Sequence, residues 1–401
     1  MTDRARSAPG AVGRLPLLED LPDVDGRRVL VRTDFNVPLR WPDGPTGRAE
    51  VADDFRIRAA VPTLAWLTGH GAAVTVCSHL GRPAGPDDRR FVMEPVRDRL
   101  AELAPGVELL ENLRFDPGEK GNDPAFVDRL VAGFDCYVND AFGVSHHRDA
   151  SVVGPPARLP SAAGRQLARE VEVLTGLLTN AVRPFLVVVG GAKVAEKLGM
   201  VRALLARVDR MAVGGGMAFT FLAAEGRAIG SSLFDAAALA DCRQILAEAG
   251  DRVLLPTDVV VRHTEADGVV GVVDASAVVE VVAGDLPDDV AGVDIGPDSA
   301  RAFAAAVRSA ATVFWNGPMG VFEDPRFAAG TLAVAEAVAD GQAYCVVGGG
   351  DSAAALKQMG LDTKVDFVST GGGASLALLE HGDLPGLEAL RGAPNAPGRG
   401  A

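Results

Sequence analysis

At 401 residues, 48% of them hydrophobic, the chain exceeds what one core ordinarily supports, and two domains are expected. A formal charge of −14 excludes the basic face that a nucleic-acid partner requires. The opening "MTDRARSAPGAVGR" has no apolar h-region and runs such as "FLVVV" are too short to span a bilayer, so a soluble cytoplasmic protein with a frayed N-terminus is expected.

Short β-branched runs alternate with longer alanine- and leucine-rich segments, the pattern of βαβ units on a parallel sheet. In chain order the predicted strands are residues 28–31, 72–77, 107–110 and 135–138, then 185–189, 211–213, 252–256, 312–315, 344–347 and 366–369. Between the two groups Leu167, Val171, Leu174 and Leu178 recur at helical spacing, with Pro184 beyond. The fold class is therefore α/β: two Rossmann-like lobes with parallel sheets, joined by a helix and hinge. The expected domains are 1–165, an interdomain helix 166–182, a second domain 183–382, and a tail 383–401 packing back toward the first, loose over its last ten residues. Cys77, Cys136, Cys242 and Cys345 lie far apart without a C-x-x-C pair and read as reduced structural thiols.

Glycine pairs and triplets follow predicted strands at 190–191, 214–216, 348–350 and 371–373, all in the second half. Glycine lets backbone approach a ligand closely, and a helix starting at such a turn points N–H groups at it, so these turns read as phosphate seats. Lys193 and Lys197 are placed four apart on one face of a helix start, where like charges repel unless an anion offsets them; the plain alternative is two solvated lysines. Two of the chain's five lysines fall in this turn. No G-x-x-x-x-G-K-[ST] occurs, which excludes a P-loop, and the protein-kinase signatures are missing. "GGGDSA" satisfies G-x-G-x-x-A and keeps an NAD-dependent dehydrogenase open as a rival. Asp351 beside that turn suits a carboxylate reaching Mg²⁺ on a nucleotide, and helix capping by Asp351 or Ser352 is compatible with it.

In the first half the strands end in polar clusters instead: "RTDFN", "SHLGR", "ENLRF" and "NDAFGVSHHRD". Ligands of open parallel sheets sit beyond the strands' carboxyl ends. Arg56, His79, Arg82, Arg114 and Arg148 stand near these ends, and arginine forks match carboxylate and phosphate oxygens, so a small polyanion is the expected tenant. A local ion pair is the plain reading of Arg56 after Asp53 and Asp54, and a structural histidine that of His79. Asp34 and Asn36 fit either a turn before Pro38 or recognition of a hydroxyl.

"VRTDFNVPL", "SHLGRP", "LLENLRF", "YVNDAFG", "GGAKVAEK", "GGGMAFTFL", "GVDIGP", "FWNGPMGVFE", "VVGGGDSAAA" and "VSTGGGASL" together, in order from about residue 27 to 390, resemble the phosphoglycerate kinases. The resemblance implies phosphoglycerate on the N-terminal lobe, Mg²⁺ with ATP or ADP on the other, and phosphoryl exchange between 1,3-bisphosphoglycerate and ADP; with the ligand cleft expected within one chain, a monomer is the default expectation. It implies that Asp34, Phe35 and Asn36 meet the acceptor, and that Arg56, His79, Leu80, Gly81, Arg82 and Arg114 hold its anionic groups. Lys193, Lys197, Gly214, Gly292, Asn316, Glu323, Gly349, Gly350, Asp351 and Ser352 are implied around the nucleotide, with Glu323 on the ribose and Asp351 toward the metal. A carboxylate acceptor is already a nucleophile and needs no general base, although Asp34 as a base for a hydroxyl acceptor stays open. Negative charge spreads over three oxygens in the transition state, and Arg56, Lys197, Mg²⁺ and the N–H groups of Gly372 and Gly373 in "GGGAS" are the expected catalytic donors. Hinge closure at the joining helix is expected to bring the lobes together and exclude water.

One stretch departs from the family pattern. After "NDAFG" the chain reads "HHRDAS", which puts His147 where the family has a phosphate-binding arginine, displaces Arg148 by one and sets Asp149 in place of a histidine. Asp149 beside a phosphate is repulsive unless paired with Arg148 or a histidine. A paralogous kinase for a related carboxylate is the alternative this substitution raises.

Overall fold

The computed structural model describes residues 14–42, 44, 47–263 and 280–396. The N-terminus expected to fray (1–13) and the end of the tail (397–401) lie outside the described residues. Two compact units appear, one of Met1–Thr175 with His381–Ala401 and one of Gly176–Glu380.

The first unit is built on β1 (Arg28–Arg32), β2 (Ala73–Cys77), β3 (Glu108–Leu109), β4 (Cys136–Asn139) and β5 (Ser161–Ala163). They pair in the order β3-β2-β1-β4-β5, all parallel. The second unit lays down β6 (Phe185–Val189), β7 (Arg210–Val213) and β8 (Val253–Leu254). It then makes a small antiparallel sheet of β9 (Asp258–His263), β10 (Glu280–Ala283) and β11 (Val290–Ile295). The chain returns with β12 (Thr312–Asn316), β13 (Tyr344–Gly348) and β14 (Phe367–Val368), giving a parallel sheet ordered β8-β7-β6-β12-β13-β14.

Both sheets thus start at a central strand, wind outward, and reverse on its other side. The reversal leaves a crevice beyond the carboxyl ends of β1 and β4 in one unit and of β6 and β12 in the other. Strands buried on both faces read as continuous apolar runs, and β6 and β12 are buried at every position. The ten predicted strands are all present. β5 went unread because "SAA" carries no β-branched signal; of the antiparallel sheet, β11 is interrupted by Gly292, whereas β9 and β10 carry valine runs that were legible and are additions to the predicted set.

The Arg165–Thr179 helix buries Leu167, Val171 and Leu174 as its spacing predicts, with Leu177 rather than Leu178 completing the stripe. Its start is capped from a distance: Asp140, just past β4, accepts the N–H groups of Gln166 and Leu167 at 2.9 and 3.2 Å. All four cysteines are buried free thiols.

Candidate active site

In the first unit the loop after β1 carries Asp34, Phe35 and Asn36. Phe35 points into the core, fully buried, and its N–H donates to Ser78 Oγ at 2.8 Å. Asp34 and Asn36 face the other way. Arg56, in the first turn of the Phe55–Gly69 helix, donates to the Asn36 carbonyl at 2.9 Å and lies 3.4 Å from the Asp34 carboxylate. The Asn36 side chain in turn accepts the Gly81 N–H at 2.8 Å. Gly81 has φ +59, and a Cβ there would strike the Phe91 ring at 2.1 Å, so only glycine lets the "SHLGR" loop turn here. Arg114 donates to the Gly81 carbonyl at 2.7 Å. Asn112 ties the same loops together, accepting the N–H groups of Leu80 and Arg114 and donating to the carbonyls of Leu80 and Phe91. Leu80 is buried; Arg82, one residue past Gly81, is exposed.

Beneath these loops lies a charged layer that no sequence motif announced. Arg32, fully buried at the end of β1, donates to Ser151 Oγ at 2.7 Å and sits 3.6 Å from the equally buried Glu119. Glu119 accepts both the hydroxyl and the N–H of Ser151. Such a pair holds only when its remaining donors and acceptors are satisfied. His79 lies 3.4 Å from Arg32 and 3.9 Å from Asp34. Burial, then the charges of Arg32, Arg114, Arg56 and His147, push its pKa well below the usual histidine range, so it is a neutral ring at pH 7. Burial likewise lowers Arg114.

The "HHRD" segment splits. Arg148 turns to the surface, 71% exposed, and pairs with Glu388 at 3.6 Å. His147 lies with the buried Asp149, to which Lys120 also bonds at 2.9 Å. The partners of Asp149 are thus a histidine, as one alternative had it, and a lysine that sequence reasoning passed over.

In the second unit the glycine turns come together. Gly190 and Gly191 follow β6, and Gly215 (φ +61) packs so closely that a Cβ would lie 2.5 Å from the Gly191 nitrogen. Gly214 packs on Met319 and Gly292 on the Phe219 ring. The result is a cavity of about 230 Å³ whose lining includes Gly191, Phe219, Gly292, Met319, Glu323 and Asp351. An apolar wall with a few polar groups at the rim is the usual make-up of a small-molecule site.

Two helix starts meet beside it. Gly349 (φ +98) precedes the Gly350–Gln358 helix, and a Cβ on Gly372, first residue of the Gly372–His381 helix, would lie 3.2 Å from Gly349 Cα. Gly350 and Gly373 are exposed at these two starts. Asp351 is exposed in the first turn, where the helix dipole favours an anion or the metal-bound phosphate it would share. Ser352 is buried; its hydroxyl accepts the Gly317 N–H at 2.6 Å and donates to the Gly348 carbonyl. Asn316 also donates to that carbonyl.

Lys197 and Lys193 do not share a helix face. The helix begins only at Leu198, because residues 194–197 close a turn in which the Lys197 N–H donates to the Val194 carbonyl. The Lys197 ammonium instead donates to the carbonyls of Gly190 and Asn316, at 2.5 and 3.2 Å. Burial lowers it to about 8, with Asp351 and Glu196 acting in the other direction, so it remains a cation at pH 7. Lys193 is exposed, 3.1 Å from Glu196.

Two doubly wound units, one presenting a cationic side-chain surface and the other a glycine-lined cavity under paired helix N-termini, make up an α/β phosphotransferase. The family model described as phosphoglycerate kinase matches residues 18–108 and 105–382. A phosphoglycerate kinase of Salinispora arenicola is 50% identical over 405 residues, covering 93% of this chain and 98% of that protein. One from Rubrobacter xylanophilus is 45% identical, covering 92% and 96%. The solved phosphoglycerate kinase of Coxiella burnetii superposes with a TM-score of 0.81 at 35% identity, covering 94% of this chain and 99% of that one. The chain belongs to the phosphoglycerate kinase family, enzymes that transfer a phosphoryl group to and from a carboxylate.

Proposed function

We propose that the chain catalyses reversible phosphoryl transfer between 1,3-bisphosphoglycerate and ADP, giving 3-phosphoglycerate and ATP. The observation that carries this reading is the meeting of two helix starts at Gly349 and Gly372, with Asn316 linking them to Lys197. Amide N–H groups and an ammonium so placed suit the oxygens of a transferring phosphoryl group, where charge develops during in-line displacement. The cavity takes the base and sugar, with Glu323 at its rim for the ribose, and Lys193 and Gly214 belong to the same nucleotide site.

The acceptor is assigned to the first unit. Arg56, Arg82 and Arg114 supply its cations, the neutral His79 a ring nitrogen, and Asp34 and Asn36 the hydroxyl and carboxyl contacts. With Arg56 ion-paired to it, Asp34 serves as an orienting acceptor; a carboxylate nucleophile has no proton to surrender.

A magnesium ion fits this donor set. Asp351 offers one exposed carboxylate beside the phosphate seat, and no group of three or more His, Cys, Asp or Glu occurs among the described residues to make a closed protein cage. Such an ion, held by Asp351 and phosphate oxygens, would neutralise charge on the transferred group. Direct transfer requires the two ligands to be presented to each other, and we assign the bending to the Arg165–Thr179 helix and its neighbours. Each ligand site is built within one chain, which supports a monomer, and a glycolytic reaction of this kind suits the cytoplasm. No helix among the described residues is long and apolar enough to cross a membrane.

A coupled assay with ATP and 3-phosphoglycerate tests the reading directly; background turnover would overturn it. X-ray scattering should also show a smaller radius of gyration with both ligands than with either alone. A second reading, a related carboxylate as preferred acceptor, is favoured by Arg148 being engaged with Glu388. It predicts a high KM for 3-phosphoglycerate and better use of another acid.

A further inference from the structure

The cluster around Asp149 places a titratable group where the rest of the acceptor surface uses fixed charge. Asp149 is only 4% exposed, and its two carboxylate oxygens have different fates. One accepts from the Lys120 ammonium at 2.9 Å. The other lies 3.7 Å from His147 Nδ1, an ion-pair distance rather than a hydrogen bond, and neither atom has another partner among the described residues. The imidazole is 37% exposed, so the ring is anchored at Nδ1 and open elsewhere.

We propose that His147, oriented by Asp149, is the titrating cation of the acceptor site, making the affinity for the phosphorylated acid proton-linked in this chain. The inference rests on the acceptor assignment above. Asp149 lies on the Nδ1 side of the ring and leaves Nε2 for a ligand. Whichever tautomer the neutral ring adopts, only the cation offers a phosphate both a net charge and an Nε2–H donor. Lys120, Asp149 and His147 together carry one positive charge with the ring protonated and none with it neutral. Asp149 is thus a positioning residue, and its buried charge is held down against the repulsion it would exert on an anion.

The surrounding groups leave this role to His147. From its own loop come His146, whose ring centroid lies 3.9 Å from that of His147, and Arg148, which is drawn off to Glu388 on the Pro385–Arg391 helix. Burial, then the charge of His147, lowers His146 to about 4, so it stays neutral. The Pro117–Gly121 helix contributes Lys120 and Glu119, the latter already committed to Arg32. From the other loops Arg114 feels the charge of Asp149, and His146 that of Asp34; His79, which feels the charge of His147 as well as those of Arg32 and Arg56, is also neutral. Burial would raise Asp149, yet His147 and Lys120 outweigh it and hold the carboxyl at about 2, charged throughout the working range. Histidine is the side chain whose charge ordinarily changes between about pH 5 and 8.

The test is the KM for 3-phosphoglycerate from about pH 6 to 8.5, measured for the parent chain and for H147R; the ratio cancels titration of the substrate and of shared groups. The parent-to-variant KM ratio should rise about tenfold over that range, the weight of one charge-assisted hydrogen bond. The KM for ATP should show no such trend. D149N, which keeps the side chain's size and removes its charge, should flatten that rise by freeing the ring, whereas loss of a purely structural contact would raise KM equally at every pH. Independently of any variant's turnover, the NMR titration of His147 in the parent chain, assigned by the resonance lost in H147Q, should move to higher pH when 3-phosphoglycerate binds. A flat KM ratio, or a His147 midpoint unmoved by 3-phosphoglycerate, would overturn the inference while turnover left the kinase reading standing; no turnover at any pH would overturn the kinase reading itself.

Discussion

On the proposed function, the two units hold an anion with different parts of the polypeptide. In the first, side chains would do the holding, with Arg56, Arg114 and His147 each set beside a neighbour, Asn36, Gly81 or Asp149. In the second, backbone would predominate: Gly191, Gly215 and Gly349 bring amides close, and the half-buried Lys197 adds an ammonium. A side-chain site can be retuned one residue at a time, as the "HHRD" segment illustrates. A backbone site has less room for change: a Cβ on Gly215 would meet the Gly191 main chain, and those on Gly191 and Gly349 would press on Lys197 and Asn316, side chains already tied to main-chain carbonyls.

The largest expected effect of breaking this contrast is at Lys197, the side-chain element within the backbone site. Lys197→Ala should lower kcat by roughly 10²–10³, as loss of a transition-state donor does, with a much smaller change in acceptor KM. Steady-state kinetics for both substrates checks it. Gly349→Ala comes next. It forces an L-residue to φ +98 with its Cβ 3.1 Å from Asn316 Nδ2, a strain of about 1–3 kcal/mol. The KM for nucleotide should rise with that for 3-phosphoglycerate unchanged; equal changes in both would show that the sites are not separable.

Asp294 offers a smaller, pH-dependent test. It sits on β11, accepting the N–H groups of Ile295 and Gly330, and burial raises its carboxyl to about 7 against those bonds. The folded chain therefore keeps a proton that the unfolded chain releases near the ordinary value of about 3.9. Stability contributed by the protonated form is lost as pH rises from about 4 through 7 and changes no further above that. Asp294→Asn should remove this slope, seen as a Tm less dependent on pH than the parent's over that interval. The smallest effect belongs to Arg148→Ala: an exposed pair with Glu388 is worth about 0–1 kcal/mol, so acceptor KM should change little. A large rise would return Arg148 to the acceptor site.

The sequence was legible where physics is local. β-branched runs located the parallel strands, and glycines after them located the turns that surround the cavity. It was least legible where distant residues meet. Arg32, Glu119 and Ser151 are separated by up to 119 positions and bond in one buried layer that no spacing rule reaches. Lys193 and Lys197 illustrate the converse: helical spacing suggested a shared face, but backbone carbonyls from Gly190 and Asn316 capture one of them before the helix starts. Asp149 needed Lys120, 29 residues earlier, to be understood.

The first unit closes with the last part of the chain. Leu384, Leu387 and Leu390 are buried, Gly386 donates to the Ser145 carbonyl, and Asn395 bonds both the N–H and the carbonyl of Ser161 as well as the carbonyl of Asp20. The unit begun first therefore waits for a segment that follows the whole of the other, while Gly176–Glu380 is continuous in the chain. A released chain truncated just short of Leu384 should expose β5 to protease while Gly176–Glu380 resists it.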